Sequence, residues 1–323
     1  MVKLNVPALW TEKMGEVIAK QNELAAGVYA TGQSIQEMRE GYRKERAFWN
    51  EGGPSVASAV DSSVPTRHGE VKVRHYRPEG IAETAVLPVI VYIHGGGWIL
   101  GDLDTHDRVT RTLCALTKAA VIAIDYTLSP EAKYPQALEE CVDVVAYIHE
   151  NAAALQIDGN DISFAGDSGG AHLSLATILK ARDEGKGYNL RAMLLYYGAF
   201  GLRDSESMRL LGGPWDGLTE EDYRYYLSAY LNDLSQVETE KYVNLLSNDF
   251  AQGIPAAYVM GAALDPLRDD SRTLARILEA QGVPVQHEEI PGVIHGFIHH
   301  SRILPQTMEV LERSAQYWEQ AKK

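Results

Sequence analysis

Five short apolar runs alternate with helical patterns along the middle and end of the chain. Each run has the length of a strand and lacks polar alternation, which indicates burial on both faces. The runs are Leu87–Ile93, 120–124, 162–165, 192–197 and 257–260. Helical patterns such as 135–151 lie between them, and strands that alternate with helices predict an α/β fold whose mostly parallel sheet is covered by helices. A hairpin at about 64–77, with Gly69 at its turn, is expected to add antiparallel edge strands.

Two segments do not fit this alternation. Residues 1–53 contain two helical patterns and no strand, the second pattern spanning 33–50. Residues 198–254 are far longer than an ordinary connection between strands and are rich in aromatic residues. Insertions of this length are usually lids or binding elements, although a Tyr-rich helix also packs in many protein cores. No linker separates these segments, so residues 1–323 are expected to form a single domain.

Composition and charge exclude several classes of protein. The 323 residues are 45% hydrophobic and carry a formal net charge of −14 with no basic run, which argues against a nucleic-acid partner. Charged residues interrupt the N-terminal stretch before a signal peptide can form, and no apolar run is long enough to span a membrane. Cys114 and Cys141 fall in predicted helices and are expected to be buried free thiols, which fits a cytoplasmic location.

Ser168 stands in the stretch FAGDSGG at residues 164–170. The pattern GxSxG at the junction of a strand and a helix is the nucleophile elbow of α/β-hydrolases. In this interpretation Gly166 and Gly170 avoid side chains that would crowd the turn. The structural alternative is that Ser168 is an ordinary helix N-cap.

The stretch HGGGW at residues 94–98 predicts donors for an oxyanion. Consecutive glycines after a buried strand let backbone N–H groups turn toward a cavity. A phosphate-binding loop fits poorly, because GxGxxG would need glycine where Leu100 stands. The expected donors are the N–H groups of Gly95, Gly96 and Gly169, with His94 and Gly97 supporting the loop.

A base and an acid complete the predicted catalytic set. Of ten histidines, His295 lies in a loop after the final predicted strand, where ligands gather in such sheets, with His299 and His300 as close alternatives. Asp265 follows the run that ends near Met260, whereas Asp269 and Asp270 begin a helical pattern and are expected to cap it locally. The chain order Ser168, Asp265, His295 is that of the hydrolase elbow.

Five stretches, taken together and in order, resemble the hormone-sensitive-lipase-like (GDXG) branch of α/β-hydrolases, and within it the acetyl esterases of enterobacterial type. They are HGGGWILGDLDTHD, DYTLSPEAKYP, FAGDSGGA, DPLRDDSR and HGF. The resemblance implies the α/β-hydrolase fold, a helical cap from about 1–53 and about 199–252, hydrolysis of acetyl to butyryl esters through a serine acyl-enzyme, and no cofactor. Gly169 departs from the alanine usual in that family.

Other functions are weighed against this one. No HExxH or CxxC pattern supports a catalytic metal, and the DTHD segment is expected to shape the loop behind the oxyanion site. A non-catalytic binding module on a hydrolase scaffold and an amidase with the same triad stay open. The expected partner is a small-molecule ester, with no nucleic acid and no membrane. A homodimer is left open, and the resemblance also implies restraint of a sugar-utilisation regulator by direct contact.

Overall fold

A computed structural model describes residues 2–25 and 33–321 of the chain. Part of the predicted cap, residues 26–32, lies outside this range. The strands are β1 Ser58–Thr66, β2 Gly69–Arg77, β3 Leu87–Ile93, β4 Ala120–Asp125, β5 Ile157–Asp167, β6 Leu190–Tyr196, β7 Ala256–Ala262 and β8 Val285–Ile290. The helices are α1 Glu12–Ala25, α2 Ile35–Asn50, α3 Asp107–Thr117, α4 Gln136–Glu150, α5 Gly169–Asp183, α6 Glu206–Leu210, α7 Glu220–Tyr230, α8 Gln236–Thr239, α9 Arg268–Ala280 and α10 Pro305–Gln320. None of the helices described is both long and apolar enough to cross a bilayer.

The eight strands form one sheet in the order β1-β2-β4-β3-β5-β6-β7-β8. Strands β3 to β8 pair in parallel, while β1 and β2 form an antiparallel hairpin that joins β4 at the edge. This confirms the predicted mostly parallel sheet. The hairpin is longer than expected, since β1 begins at Ser58.

Apolar side chains cover both faces of the sheet. In β3, Val89 and Val91 pack with one buried cluster, while Ile90 and Tyr92 pack with another on the opposite face. Helices α4, α5 and α9 contribute to the first cluster, and α1, α3 and α10 contribute to the second. Cys114 and Cys141 are buried free thiols, as predicted.

The chain changes direction across the sheet between β3 and β5. After β3 it crosses to β4 on one side, and β5 then returns to the other side of β3. Ligands of open α/β sheets gather at such a switch point, outside the carboxyl ends of the strands. The GGG stretch follows β3 and Ser168 follows β5, so the fold places both at this point.

The N-terminal segment and the long insertion contact each other. The backbone N–H of Leu4 donates to the carbonyl of Leu210 at 2.9 Å, and Lys3 Nζ donates to the carbonyl of Leu211 at 2.6 Å. Trp10 meets Trp215 edge to face, with 5.9 Å between ring centroids. The two segments that break the strand and helix alternation therefore lie together.

Candidate active site

Ser168 lies between the end of β5 and the start of α5. Its backbone has φ +52° and ψ −122°, a conformation that an L residue adopts only under strain. A Cβ on Gly170 would lie 2.0 Å from the carbonyl oxygen of Ile93, and one on Gly166 would lie 2.6 Å from the carbonyl oxygen of Gly170. The tight turn therefore requires glycine at both positions, as the elbow interpretation predicts.

The structure brings Ser168, His295 and Asp265 into one hydrogen-bonded chain. Ser168 Oγ lies 2.8 Å from His295 Nε2, and His295 Nδ1 lies 2.7 Å from Asp265 Oδ2. Asp265 is fully buried, and its Oδ1 accepts the backbone N–H of Leu267 at 2.8 Å. Ser168 makes no side-chain cap to its helix, so the N-cap alternative is wrong.

Acidic groups around the imidazole set the protonation of His295. Burial lowers the pKa of His295, but the charge and hydrogen bond of Asp265, with the charges of Asp216 and Asp167, raise it above its ordinary value. The imidazolium that forms when this side chain accepts a proton is therefore stabilised. Asp265 orients the ring of His295, whose Nδ1–H donates to the carboxylate and whose Nε2 faces Ser168.

The two nearby histidines contact other partners. His299 Nε2 lies 3.4 Å from Asp167, and Arg46 Nη1 donates to His300 Nε2 at 3.4 Å. Burial, aided by the Arg46 charge, lowers the pKa of His299 to about 3 and holds that of His300 well below its usual range. Neither ring is hydrogen-bonded to Ser168.

In the glycine loop, residues 94–98, one of the predicted oxyanion donors has a different partner. The N–H of Gly95 donates to Asp167 Oδ1 at 3.1 Å, so the prediction that it serves an oxyanion is wrong. Gly96, Gly97 and Gly169 line the cavity beside Ser168 instead. The left-handed φ angles of Gly96 and Gly97, +115° and +59°, turn this part of the loop in a way that other residues rarely adopt. His94 supports the loop, since its carbonyl accepts the Tyr126 hydroxyl at 3.0 Å.

Asp167, the residue before Ser168, was not identified from the sequence. Its Oδ1 accepts the Tyr92 hydroxyl at 2.8 Å as well as the Gly95 N–H, so one carboxylate joins the ends of β3 and β5. Although burial opposes it, the imidazoles of His106 and His299 hold the pKa of Asp167 well below its usual range. The available signal was its place inside GDSGG, directly after an apolar run.

The same carboxylate belongs to a group with the spacing of metal ligands. Side-chain ligand atoms of His106, Asp167 and His299 lie within 4.8 Å of one another. Asp167 Oδ1, which lies 3.4 Å from His106 Nε2, accepts the Tyr92 hydroxyl and the Gly95 N–H, and Asp167 Oδ2 lies 3.4 Å from His299 Nε2. These contacts make Asp167 a buried carboxylate that lies between two imidazoles and two hydrogen-bond donors. His106 is part of DTHD, and its ring lies 5.3 Å from the ring of His94 in the glycine loop.

A cavity of about 70 Å³ opens beside Ser168 and His295. Its sheet side consists of the elbow and the glycine loop. On the opposite side it is lined from α1 and α2 by Gln21, Tyr42 and Arg46, and from the insertion by Trp215, Asp216 and Tyr226. A Cβ on Gly97 would lie 3.0 Å from the Tyr226 ring, so the insertion packs directly on the glycine loop.

Asp269 and Asp270 bind the insertion, and the prediction that they act only on their own helix is wrong. Asp270 is fully buried, and its Oδ1 accepts three successive backbone N–H groups. The donors are those of Phe200 at 2.6 Å, Gly201 at 2.9 Å and Leu202 at 3.2 Å. Asp269 Oδ2 accepts the N–H of Ser207 at 2.8 Å. Both carboxylates therefore hold the start of the insertion against α9.

Comparison with known proteins finds one family and many related structures. A family model described as alpha/beta hydrolase fold matches residues 90–299. A hyperthermophilic esterase from the archaeon Pyrobaculum calidifontis is 30% identical with a TM-score of 0.85, covering 94% of this chain and 97% of its own. An esterase structure from a study of two esterases of the fungus Rhizomucor miehei is 28% identical with a TM-score of 0.88, covering 97% and 98%. A thermophilic carboxylesterase cloned from a metagenomic library is 26% identical with a TM-score of 0.84, covering 91% and 99%.

Proposed function

Because the chain belongs to the α/β-hydrolase family that residues 90–299 match, we propose that it is a carboxylesterase that acts through Ser168. The observation that carries the proposal is the hydrogen-bonded chain from Ser168 Oγ through His295 to buried Asp265, placed at the edge of a cavity. Similarity to several esterases over nearly the whole chain supports the same reaction class.

The geometry suggests the order of proton transfers. His295 Nε2 accepts the proton of Ser168 as Oγ attacks the ester carbonyl, and the same proton then goes to the departing alcohol. A water molecule then attacks the acyl-enzyme through the same proton transfers at His295, which releases the carboxylic acid and restores Ser168. Asp265 keeps the imidazole in the required tautomer and stabilises its charged form. The N–H groups of Gly96, Gly97 and Gly169 are the proposed oxyanion donors.

We extend the proposal to short acyl chains, from acetyl to butyryl, as in the acetyl esterases that the sequence resembles. A cavity of about 70 Å³ holds on the order of five water molecules, which suits a short acyl group better than a long one. Each buried methylene that fits contributes about 0.8 kcal/mol, and one that does not fit contributes nothing. Activity on p-nitrophenyl esters should therefore peak between acetyl and butyryl.

The test combines turnover with covalent labelling. The parent protein and Ser168→Ala are assayed on p-nitrophenyl esters from acetyl to palmitoyl, and the parent is labelled with an organophosphate and mapped by mass spectrometry. In the parent we expect turnover and a single label on Ser168. In Ser168→Ala we expect neither turnover nor label, while its thermal unfolding stays the same as that of the parent. Turnover that persists near the parent level in Ser168→Ala would remove the serine from the mechanism.

The same assay separates the rival functions. A p-nitroanilide of the preferred acyl group tests for an amidase, and absence of both turnover and label would favour a non-catalytic binding module. Restraint of a sugar-utilisation regulator stays a prediction that the sequence resemblance alone supports.

A further inference from the structure

Several residues that line the cavity have a buried polar atom with no hydrogen-bond partner within the described part of the chain. Besides His300 Nδ1 they include Gln21 Oε1, Trp98 Nε1, Trp215 Nε1 and Asp216 Oδ2, and we call these last four the polar quartet. Buried polar atoms are nearly always paired in folded proteins, so each unpaired one calls for a water or a ligand. A group of four around one cavity therefore points to a ligand with several polar atoms.

Packing and hydrogen bonds hold the members of the quartet in place. Trp98 stacks on Tyr230 with 4.6 Å between centroids, and Trp215 is held by Trp10. Asp216 Oδ1 accepts the N–H groups of Gly213 and Leu218, both at 3.1 Å, which leaves Oδ2 as the unpaired oxygen. Binding a ligand at rigid groups costs little ordering of the protein.

The chemistry of the quartet selects the kind of ligand. Gln21 Oε1 and a charged Asp216 accept hydrogen bonds, whereas the two indole N–H groups donate them. Burial raises the pKa of Asp216 to about 7, against the opposing effect of its backbone donors, so its carboxyl group exists in both protonation states near neutral pH. A hydroxyl group donates and accepts, and so can satisfy every member. An ammonium group donates only and would leave the indoles unpaired.

We propose that the polar quartet binds the hydroxyl groups of a polyhydroxy alcohol, so that the preferred substrates are acetyl esters of polyols. The inference rests on the esterase function proposed above. The proposed acyl groups, acetyl to butyryl, contain no hydroxyl, so the hydroxyls lie in the alcohol part of the ester. Each hydroxyl would then replace water with fixed protein partners, and an ester that lacks them would leave the quartet unpaired.

The experiment compares two esters of matched shape on the full chain. Glycerol 1-acetate carries two hydroxyls, and 2-methylbutyl acetate has methyl groups in their place. We define the polyol ratio as kcat/KM for the first ester divided by kcat/KM for the second. It is measured for the parent, for Gln21→Leu and Asp216→Leu, and for Gln36→Leu, which makes the same exchange at an exposed position of α2. Thermal unfolding is recorded for each protein.

We expect a polyol ratio of about ten or more in the parent and in Gln36→Leu, and a fall of about tenfold in each quartet variant. If Asp216→Leu does not fold because Gly213 and Leu218 lose their acceptor, Trp215→Phe takes its place, since it removes the indole N–H of another quartet member and keeps an aromatic ring. A parent ratio of one or less, or the same ratio in every folded quartet variant, overturns the inference. If the inference fails but the parent still hydrolyses p-nitrophenyl acetate and is labelled at Ser168, the esterase proposal stands. If the parent shows neither hydrolysis nor labelling, the esterase proposal itself is wrong.

Discussion

The two walls of the cavity differ in how their polar atoms are satisfied. On the sheet wall, formed by the elbow, the glycine loop and the triad, Ser168, His295, Asp265 and Asp167 all have hydrogen-bond partners. The covering wall, formed by α1, α2 and the insertion, contributes three of the four quartet atoms, at Gln21, Trp215 and Asp216. Catalytic side chains with their partners in place suit a reaction that requires fixed geometry, and unpaired polar groups suit recognition, to which Trp98 contributes from the sheet wall. We infer that the sheet wall carries the chemistry and the covering wall selects the substrate.

The largest expected effect lies on the sheet wall. Asp265→Asn keeps the size of the side chain but removes its charge, so His295 takes the wrong tautomer for accepting the proton of Ser168. We expect kcat to fall by about 10⁴-fold, as for other triads of this type. The rate of p-nitrophenol release from p-nitrophenyl acetate at saturating substrate measures this fall in kcat. Asp269→Asn is the matched control, with kcat within about tenfold of the parent, and a larger loss in the control than in Asp265→Asn would place the acid elsewhere.

The next effect tests how the covering wall is held. Asp270→Ala leaves the N–H groups of Phe200, Gly201 and Leu202 without their acceptor, at a cost of about 1 kcal/mol or more each, so the free energy of unfolding should fall by about 3 kcal/mol. Urea unfolding measures this loss. Asp270→Asn retains an acceptor oxygen and should lose much less. Equal losses in the two variants would mean that the hydrogen bonds contribute little.

The pH profile connects the two walls, because both raise the pKa of the same base. His295 must be neutral to accept a proton, so kcat/KM falls as pH decreases through its pKa, by about tenfold per pH unit. Since Asp265, Asp216 and Asp167 raise that pKa, we expect the acid limb above the ordinary 6.5. Asp216→Asn should move the limb to lower pH. A limb below 6.5 in the parent would contradict the charge distribution described here.

The smallest effect concerns Gly169, where the family usually has alanine. A Cβ there would lie 3.4 Å from the nearest atoms of Trp98, which is ordinary contact at the first position of α5. Gly169→Ala should raise the free energy of unfolding by about 0.4 to 1 kcal/mol, chiefly by restricting the unfolded chain, and should keep turnover. Thermal unfolding and kcat measure both. Gly170→Ala is the contrasting variant, and it should not fold stably, because its Cβ would meet the Ile93 carbonyl at 2.0 Å.

The sequence predicts the sheet wall better than the covering wall for a physical reason. Buried parallel strands are continuous apolar runs, so the residues that follow them, Ser168 and Asp265, can be located within one or two positions. Strand β8, with sequence VQHEEI, lies at the sheet edge, is half exposed and lacks that signal. The error at Gly95 has a local cause. A run of glycines looks the same in the sequence whether its N–H groups point to a cavity or, as at Gly95, to a carboxylate 72 residues away in the chain.

The covering wall depends on pairings that no local pattern encodes. Asp270 binds residues 68 to 70 positions earlier in the chain. Asp216 lines the cavity together with residues of α1 and the glycine loop. The Tyr and Trp content of the insertion indicates that the insertion packs against another part of the protein. Which of those rings line the cavity, as Trp215 and Tyr226 do, follows only from the tertiary structure.

The attachment of the insertion through Asp270 also bears on how such a protein can acquire new specificity. Asp270 holds backbone N–H groups rather than side chains, so the attachment does not depend on the side chain at Leu202, provided that this residue does not become proline. Gly201 is the fixed point, since its φ is +123° and a Cβ there would lie 2.7 Å from Asn244 Oδ1. Mutational drift or a directed-evolution library can therefore vary the insertion while its starting point stays in place. An enzyme built in this way can explore new substrates without putting its reaction geometry at risk.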